Sequence, residues 1–147
     1  MAKTKTFPAE FINVDLDIKS RSDLSVLVRA WDNRAVLNYL EDSSDEHWLR
    51  VFLTSQPKSP TEAIRRFAKL VRELPRQART TWTRAASKEF DIGIQAGYEP
   101  HSGEWVLEPE VLRTVADLGG RLRITVYSPL LLIRGNAPRK SRVARRT

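Results

Sequence analysis

The strongest constraint on the fold is an alternation near the start of the chain. In residues 11–18, FINVDLDI, the side chains of Ile12, Val14, Leu16 and Ile18 fall on one side of an extended backbone and those of Asn13, Asp15 and Asp17 on the other. A strand that is apolar on one side only belongs in a sheet with one covered and one open face. The same spacing returns in 90–98, FDIGIQAGY, where Phe90, Ile92, Ile94 and Ala96 alternate with Asp91, Gly93, Gln95 and Gly97. It returns again in 121–127, with Leu122, Ile124 and Val126 inward. Two further strand-like runs, 35–41 and 47–54, are joined by the polar, acidic loop 42–46, which reads as a hairpin connection. In the second run Trp48, Arg50 and Phe52 oppose Leu49, Val51 and Leu53, so it is either central and covered or presents Trp48 and Phe52 to a partner.

Helical spacing fills the gaps between these runs. Ser22 and Asp23 can cap a short helix bearing Leu24, Leu27, Val28 and Trp31. Ser59, Pro60 and Glu62 give a capping hydroxyl, a proline at the first helical position and a glutamate at the third, ahead of an apolar stripe of Ile64, Phe67, Ala68, Val71 and Leu74. Pro75 ends or kinks that helix, because it lacks an amide donor and crowds the preceding turn. A second helical segment is expected from Arg76 to about Lys88. Pro109 opens a helix with Val111, Leu112, Val115 and Leu118, and Gly119-Gly120 supplies a left-handed cap. The expected fold is α+β: a single, mainly antiparallel sheet of about five strands, helices on one face, order β-α-β-β-α(broken)-β-α-β. Its first six elements follow the order of a ferredoxin-like split βαβ. The 147 residues suit one domain, over 7–129, followed by a basic tail, 130–147, that opens on the apolar patch 130–133.

The 41% hydrophobic and 29% charged residues exclude a fibrous or compositionally disordered chain. With no cysteine there is neither a disulfide framework nor a thiolate metal site. No apolar run is long enough to span a membrane, and MAKTKTFPAEF lacks the apolar stretch of a signal peptide, so a cytoplasmic location is expected. The net charge of +7 is unevenly placed. Lys3, Lys5 and the six cations of the tail account for more than all of it, leaving 7–133 at −1. Inside that body, 60–88 carries +6, so the remainder carries −7 and the molecule is electrically bipolar.

The stretch FDIGIQAGYEPHSGEWVLEPEVLRTVADLGGRLRITVY, preceded by the broken helix, resembles the corresponding half of a family of small, uncharacterised bacterial domains. In that family a strand ending in a Gly-aromatic pair leads through a Gly-containing loop to a leucine-bearing PE-x-L helix and a terminal strand. The resemblance implies the same fold and a bacterial origin. It brings no activity and no catalytic residue.

Four constellations could carry function. Asn13, Asp15 and Asp17 should stand side by side on the open sheet face, with Asp91, Gln95, Arg121, Arg123 and Tyr127 on comparable faces of their strands. Carboxylates two residues apart on a strand lie about 6–7 Å from each other, a spacing open to a hard cation or an acid/base pair. A metal-assisted hydrolase built on Asp15, Asp17 and Asp91 is short of ligands, however, because His47 and His101 sit in no ligand motif. An ordinary solvated face with Asp–Arg pairs outweighs it. Arg65, Lys69, Arg72, Arg76 and Arg79 would align on one side of a helix continuing through Pro75 and could neutralise phosphates. No aromatic interleaves them to stack bases, which favours the solvent side of an amphipathic helix. Arg139, Lys140, Arg142, Arg145 and Arg146 of the tail suit either nucleic acid or solubility. Trp31 and Trp82 suit the core. Walker, Rossmann and nucleophile-elbow patterns are missing, so neither a catalytic residue nor a cofactor is expected. The sequence thus favours a module that binds another protein, in the manner of a partner-neutralising immunity protein, with nucleic-acid binding as the alternative.

Overall fold

The computed structural model describes residues 6–129 apart from 33 and 35, so the basic tail and the apolar patch 130–133 lie outside the described residues. Five strands, β1 (Glu10–Ser20), β2 (Val36–Asp42), β3 (His47–Leu53), β4 (Ser87–Gln95) and β5 (Arg121–Tyr127), form one mixed sheet in the order β2-β3-β1-β4-β5. The pairs β2/β3, β3/β1 and β1/β4 are antiparallel and β4/β5 is parallel. The first four strands therefore have the split βαβ arrangement expected from their order, with β3 inserted between β1 and β2. Four helices complete the fold: α1 (Ser25–Ala30), α2 (Pro60–Arg72), α3 (Arg76–Arg84) and α4 (Pro109–Asp117), the last serving as the crossover between the parallel strands.

One face of the sheet is sealed. Val14, Leu16 and Ile18 of β1, Leu49 and Val51 of β3 and Phe90 of β4 are fully inaccessible, as are Ile64 and Phe67 of α2. Phe67 meets Phe90 edge-on, with ring centroids 6.1 Å apart. Trp31 and Trp82 also meet edge-on at 6.3 Å, and each indole finds an acceptor: Trp31 Nε1 donates to Leu70 O at 3.3 Å and Trp82 Nε1 to Leu118 O at 3.1 Å. These two side chains tie all four helices together, which fixes the helical layer over the sheet.

Local chemistry explains the element boundaries. Ser59 Oγ accepts from Glu62 N at 3.1 Å and Pro60 occupies the first turn of α2, as its sequence predicts. Gly119, at φ +70°, and Gly120 close α4 in a Schellman motif, their amides donating to Ala116 O and Val115 O at 2.9 Å each. Three expectations shift. The helix expected to reach Lys88 stops at Arg84; Ala85 turns extended, and β4 begins at Ser87. Lys88 faces the helices, where its Nζ donates to Trp82 O and Ala85 O, carbonyls at the end of α3. Burial holds its ammonium below the usual lysine range. At α1 the N-cap position falls on Leu24, which has no side-chain cap bond; Asp23, one residue earlier, accepts from Ser25 N at 2.8 Å, whereas the Ser22 amide donates to Ser20 Oγ. A bulge between Phe11 and Asn13 moves Phe11 onto the packed face. Ile12, expected inside, is 40% exposed, because an inserted residue reverses the alternation on its far side.

Candidate functional site on the open sheet face

The opposite face of the sheet carries no helix among the described residues. Register places Tyr39, Arg50, Asp17, Glu89 and Arg121 in one row across all five strands. The next row holds Asp15, Asp91 and Arg123, and beyond it lie Asn13, Gly93 and Thr125, then Gln95 and Tyr127. The structure thus gathers Asn13, Asp15, Asp17, Asp91, Gln95, Arg121, Arg123 and Tyr127 on one surface, as the alternation implied.

Within that surface the acids lie low and the cations lie over them. Arg50 grips Asp17 with both arms of its fork, Nε to Oδ1 at 2.6 Å and Nη2 to Oδ2 at 2.7 Å. Asp17 is buried beneath this pair, contrary to the expectation that it would be free for a partner. Glu89, its neighbour on β4, is equally buried and takes two guanidinia, Arg121 Nε at 2.6 Å and Arg123 Nη2 at 2.8 Å. Asp91 accepts from Thr125 Oγ1 at 2.7 Å. Asp15 forms no hydrogen bond through its carboxyl among the described residues. Its burial, reinforced by the charges of Asp17 and Asp91 and opposed by Arg50, raises its pKa from 3.8 to about 6. Four carboxylates and three guanidinia nearly cancel. What reaches solvent is cationic and aromatic: the side chains of Arg121 and Arg123 are 63% and 51% exposed, and Tyr39 and Tyr127 stand open toward the two edges.

Trp48 extends this surface. Its ring meets Tyr39 edge-on at 6.2 Å and lies 4.9 Å from the Arg50 guanidinium, while its Nε1 is buried without an acceptor among the described residues. Around Asp17, Lys19, Trp48, Arg50, Glu89 and Arg121 the face dips into a shallow hollow of about 200 Å³. Sequence reasoning did not assign Glu89 to the site, because it began the strand one residue later; extending the alternation of Asp91 back by two positions would have found it.

The other candidates fare differently. Pro75 separates α2 from α3, so Arg65, Lys69 and Arg72 sit on one helix and Arg76 and Arg79 on the next. Several of these cations are engaged: Arg65 with Glu110, Lys69 with Glu73 at 4.0 Å, and Arg79 with the carbonyls of Arg72 and Leu74 across the break. The continuous stripe is therefore corrected to two separate segments. Arg139, Lys140, Arg142, Arg145 and Arg146 lie outside the described residues. Asp15, Asp17 and Asp91 do not converge on a cation position; Asp17 and Asp91 are already committed to Arg50 and Thr125. Among the described residues the group that does converge is Asp23, Asp42 and His47, with candidate ligand atoms within 4.8 Å of one another. His47 Nδ1 lies 2.5 Å from Asp42 Oδ1, and Asp23 binds Ser25, so these groups satisfy one another at the surface.

Comparison with protein-family models, with curated proteins and with solved structures finds no match, so the resemblance of the C-terminal half gains no support there. No helix among the described residues is long and apolar enough to cross a membrane.

Proposed function

We propose that the protein is a binding module whose partner is another protein, docked on the open sheet face. The observation that carries this reading is the arrangement of Arg50, Arg121 and Arg123, each fixed on a buried or half-buried carboxylate and flanked by Tyr39, Trp48 and Tyr127. Arginine and aromatic side chains dominate binding energy at protein interfaces, and holding them in place beforehand lowers the entropy lost on docking. A nucleic-acid partner is disfavoured on this face. Two of the three inner strands, β1 and β4, contribute Asp15, Asp17, Glu89 and Asp91, where a phosphate-binding sheet would present cations or stacking rings. In its narrower form the reading makes the chain a partner-neutralising protein, whose bipolar charge speeds encounter with a target of complementary field.

Affinity capture with the full chain as bait tests the reading. Tyr39→Ala/Arg123→Ala removes one aromatic and one cation from opposite sides of the face and leaves Glu89 paired to Arg121. A protein captured by the wild type and lost with this variant is the expected result. An identical captured set removes the open face from consideration.

A further inference from the structure

We infer that the free edge of β5 is a docking edge for β5 of a second copy, joining two five-stranded sheets into one across a two-fold axis at Ile124. At the end of the sheet order, β5 is paired on one side only among the described residues. Tyr127 O accepts from Ala96 N at 2.9 Å, so the backbone polar groups of the odd-numbered residues point toward β4. Those of Leu122, Ile124 and Val126 point outward, unpaired among the described residues. Proteins ordinarily blunt such an edge with a proline, a bulge or an inward-pointing charge. Over 121–127 β5 has no proline and no inward charge, and its apolar side is bare, with Ile124 62% and Val126 61% exposed.

The sequence of β5 is complementary to its own reverse. Antiparallel pairing about Ile124, the middle of this seven-residue strand, sets Leu122 opposite Val126 and Ile124 opposite Ile124, each a pair that exchanges both backbone hydrogen bonds. On the helix side this produces an unbroken apolar ladder of Leu122, Ile124 and Val126 from both copies. On the open side Arg121 falls opposite Tyr127 and Arg123 opposite Thr125, so no arginine faces another. A shift of two residues toward the strand's start would bring Arg123 opposite Arg123, which charge opposes, and the reverse shift, to Thr125 opposite Thr125, would break the Ile124–Ile124 contact and shorten the ladder. The apolar strip also borders a groove of about 630 Å³ lined by Ile94, Trp105, Val106 and Leu107, so the exposed apolar surface extends beyond the strand. The chain's own apolar patch 130–133 is the competing occupant. To reach the edge by a two-residue hairpin it would need positive φ at Ser128 in either favoured turn type, and in one of them at Pro129 as well, which serine rarely adopts and proline cannot.

A ladder of this size makes a modest interface, with a dissociation constant on the order of 1–100 µM. Sedimentation of the full chain at roughly 500 µM should show a dimer, and Ile124→Lys and Val126→Lys, both at exposed positions, should give monomers with unchanged circular dichroism. Because the chain has no cysteine, Ile124→Cys adds a unique thiol. On oxidation it should form a covalent dimer, since directly opposite Cα atoms lie about 5.5 Å apart, and Val106→Cys, away from the axis, should not. A wild-type monomer at that concentration, dimers surviving both lysine variants, or equal cross-linking by the two cysteines would overturn the inference. So would a full-length monomer that dimerises only when residues 130–147 are removed. Tyr39→Ala leaves this edge intact and should leave the dimer unchanged, which separates this result from that for the open face.

Discussion

Arg50 matters for stability because of what lies under it. Replacing it with alanine leaves the Asp17 carboxylate buried beside Glu89 with no cation in contact, a change worth about 3 kcal/mol of stability. Replacing both partners with apolar side chains, Arg50→Met with Asp17→Leu, removes the stranded charge and should recover at least half of that loss; urea denaturation of the three proteins checks the order. Asp15 carries the opposite liability. Its pKa in the folded chain, about 6 against an ordinary 3.8, means that folding favours the neutral carboxyl. The contribution of this group to stability is then full below about pH 4 and is lost as pH rises through about 6. Asp15→Asn should remove that step: no gain at pH 3.5, and a gain on the order of 1–2 kcal/mol at pH 8, allowing for partial exposure. The outward direction of Asp15 and Asp17 was readable from period two alone. Their unequal fates were not, because Arg50, Glu89 and Asp91 reach them through strand pairing 33 or more residues distant in sequence for the Arg50 contact, and register is absent from local pattern.

Among the elements, those with punctuation in their own sequence were the most legible. Ser59-Pro60 starts α2, Pro75 separates it from α3, and Gly119-Gly120 ends α4 where the residues say they should. The two glycines answer to different forces, which gives a sharp comparison. Gly119 is there for its positive φ, and its missing Cβ would touch only the flexible end of Lys88, so Gly119→Ala should cost about 1 kcal/mol and Gly119→Asn less. Gly120 is there for space, since a Cβ would come within 2.6 Å of the buried Phe90 ring. Gly120→Ala should cost about 1–3 kcal/mol, with asparagine worse than alanine, as thermal unfolding of the four variants will show. Elements without punctuation were misread by a residue or a turn. Nothing local marks the bulge at Ile12, and the helix-compatible run ARTTWTRAAS hides the start of β4, which is set by Lys88 reaching back to the α3 carbonyls.

For the whole molecule, one-sided alternation in three strands was enough to predict a sheet sealed by helices on one face and open on the other. The order β2-β3-β1-β4-β5 needed the non-local pairings, although the sequence order already contained the split βαβ that the first four strands adopt. The overall positive charge was a poor guide to the site: it resides mainly at the termini and on 60–88, while the open face is close to neutral and its arginines are held by its own acids. The reading of that face as a protein-docking surface is tested most directly by placing a photo-cross-linking side chain at Tyr39, on the open face, or at Leu112, exposed on the helical layer. The account predicts a discrete adduct with one partner protein from position 39 and none from position 112; adducts from 112 alone, or from neither position, would contradict it.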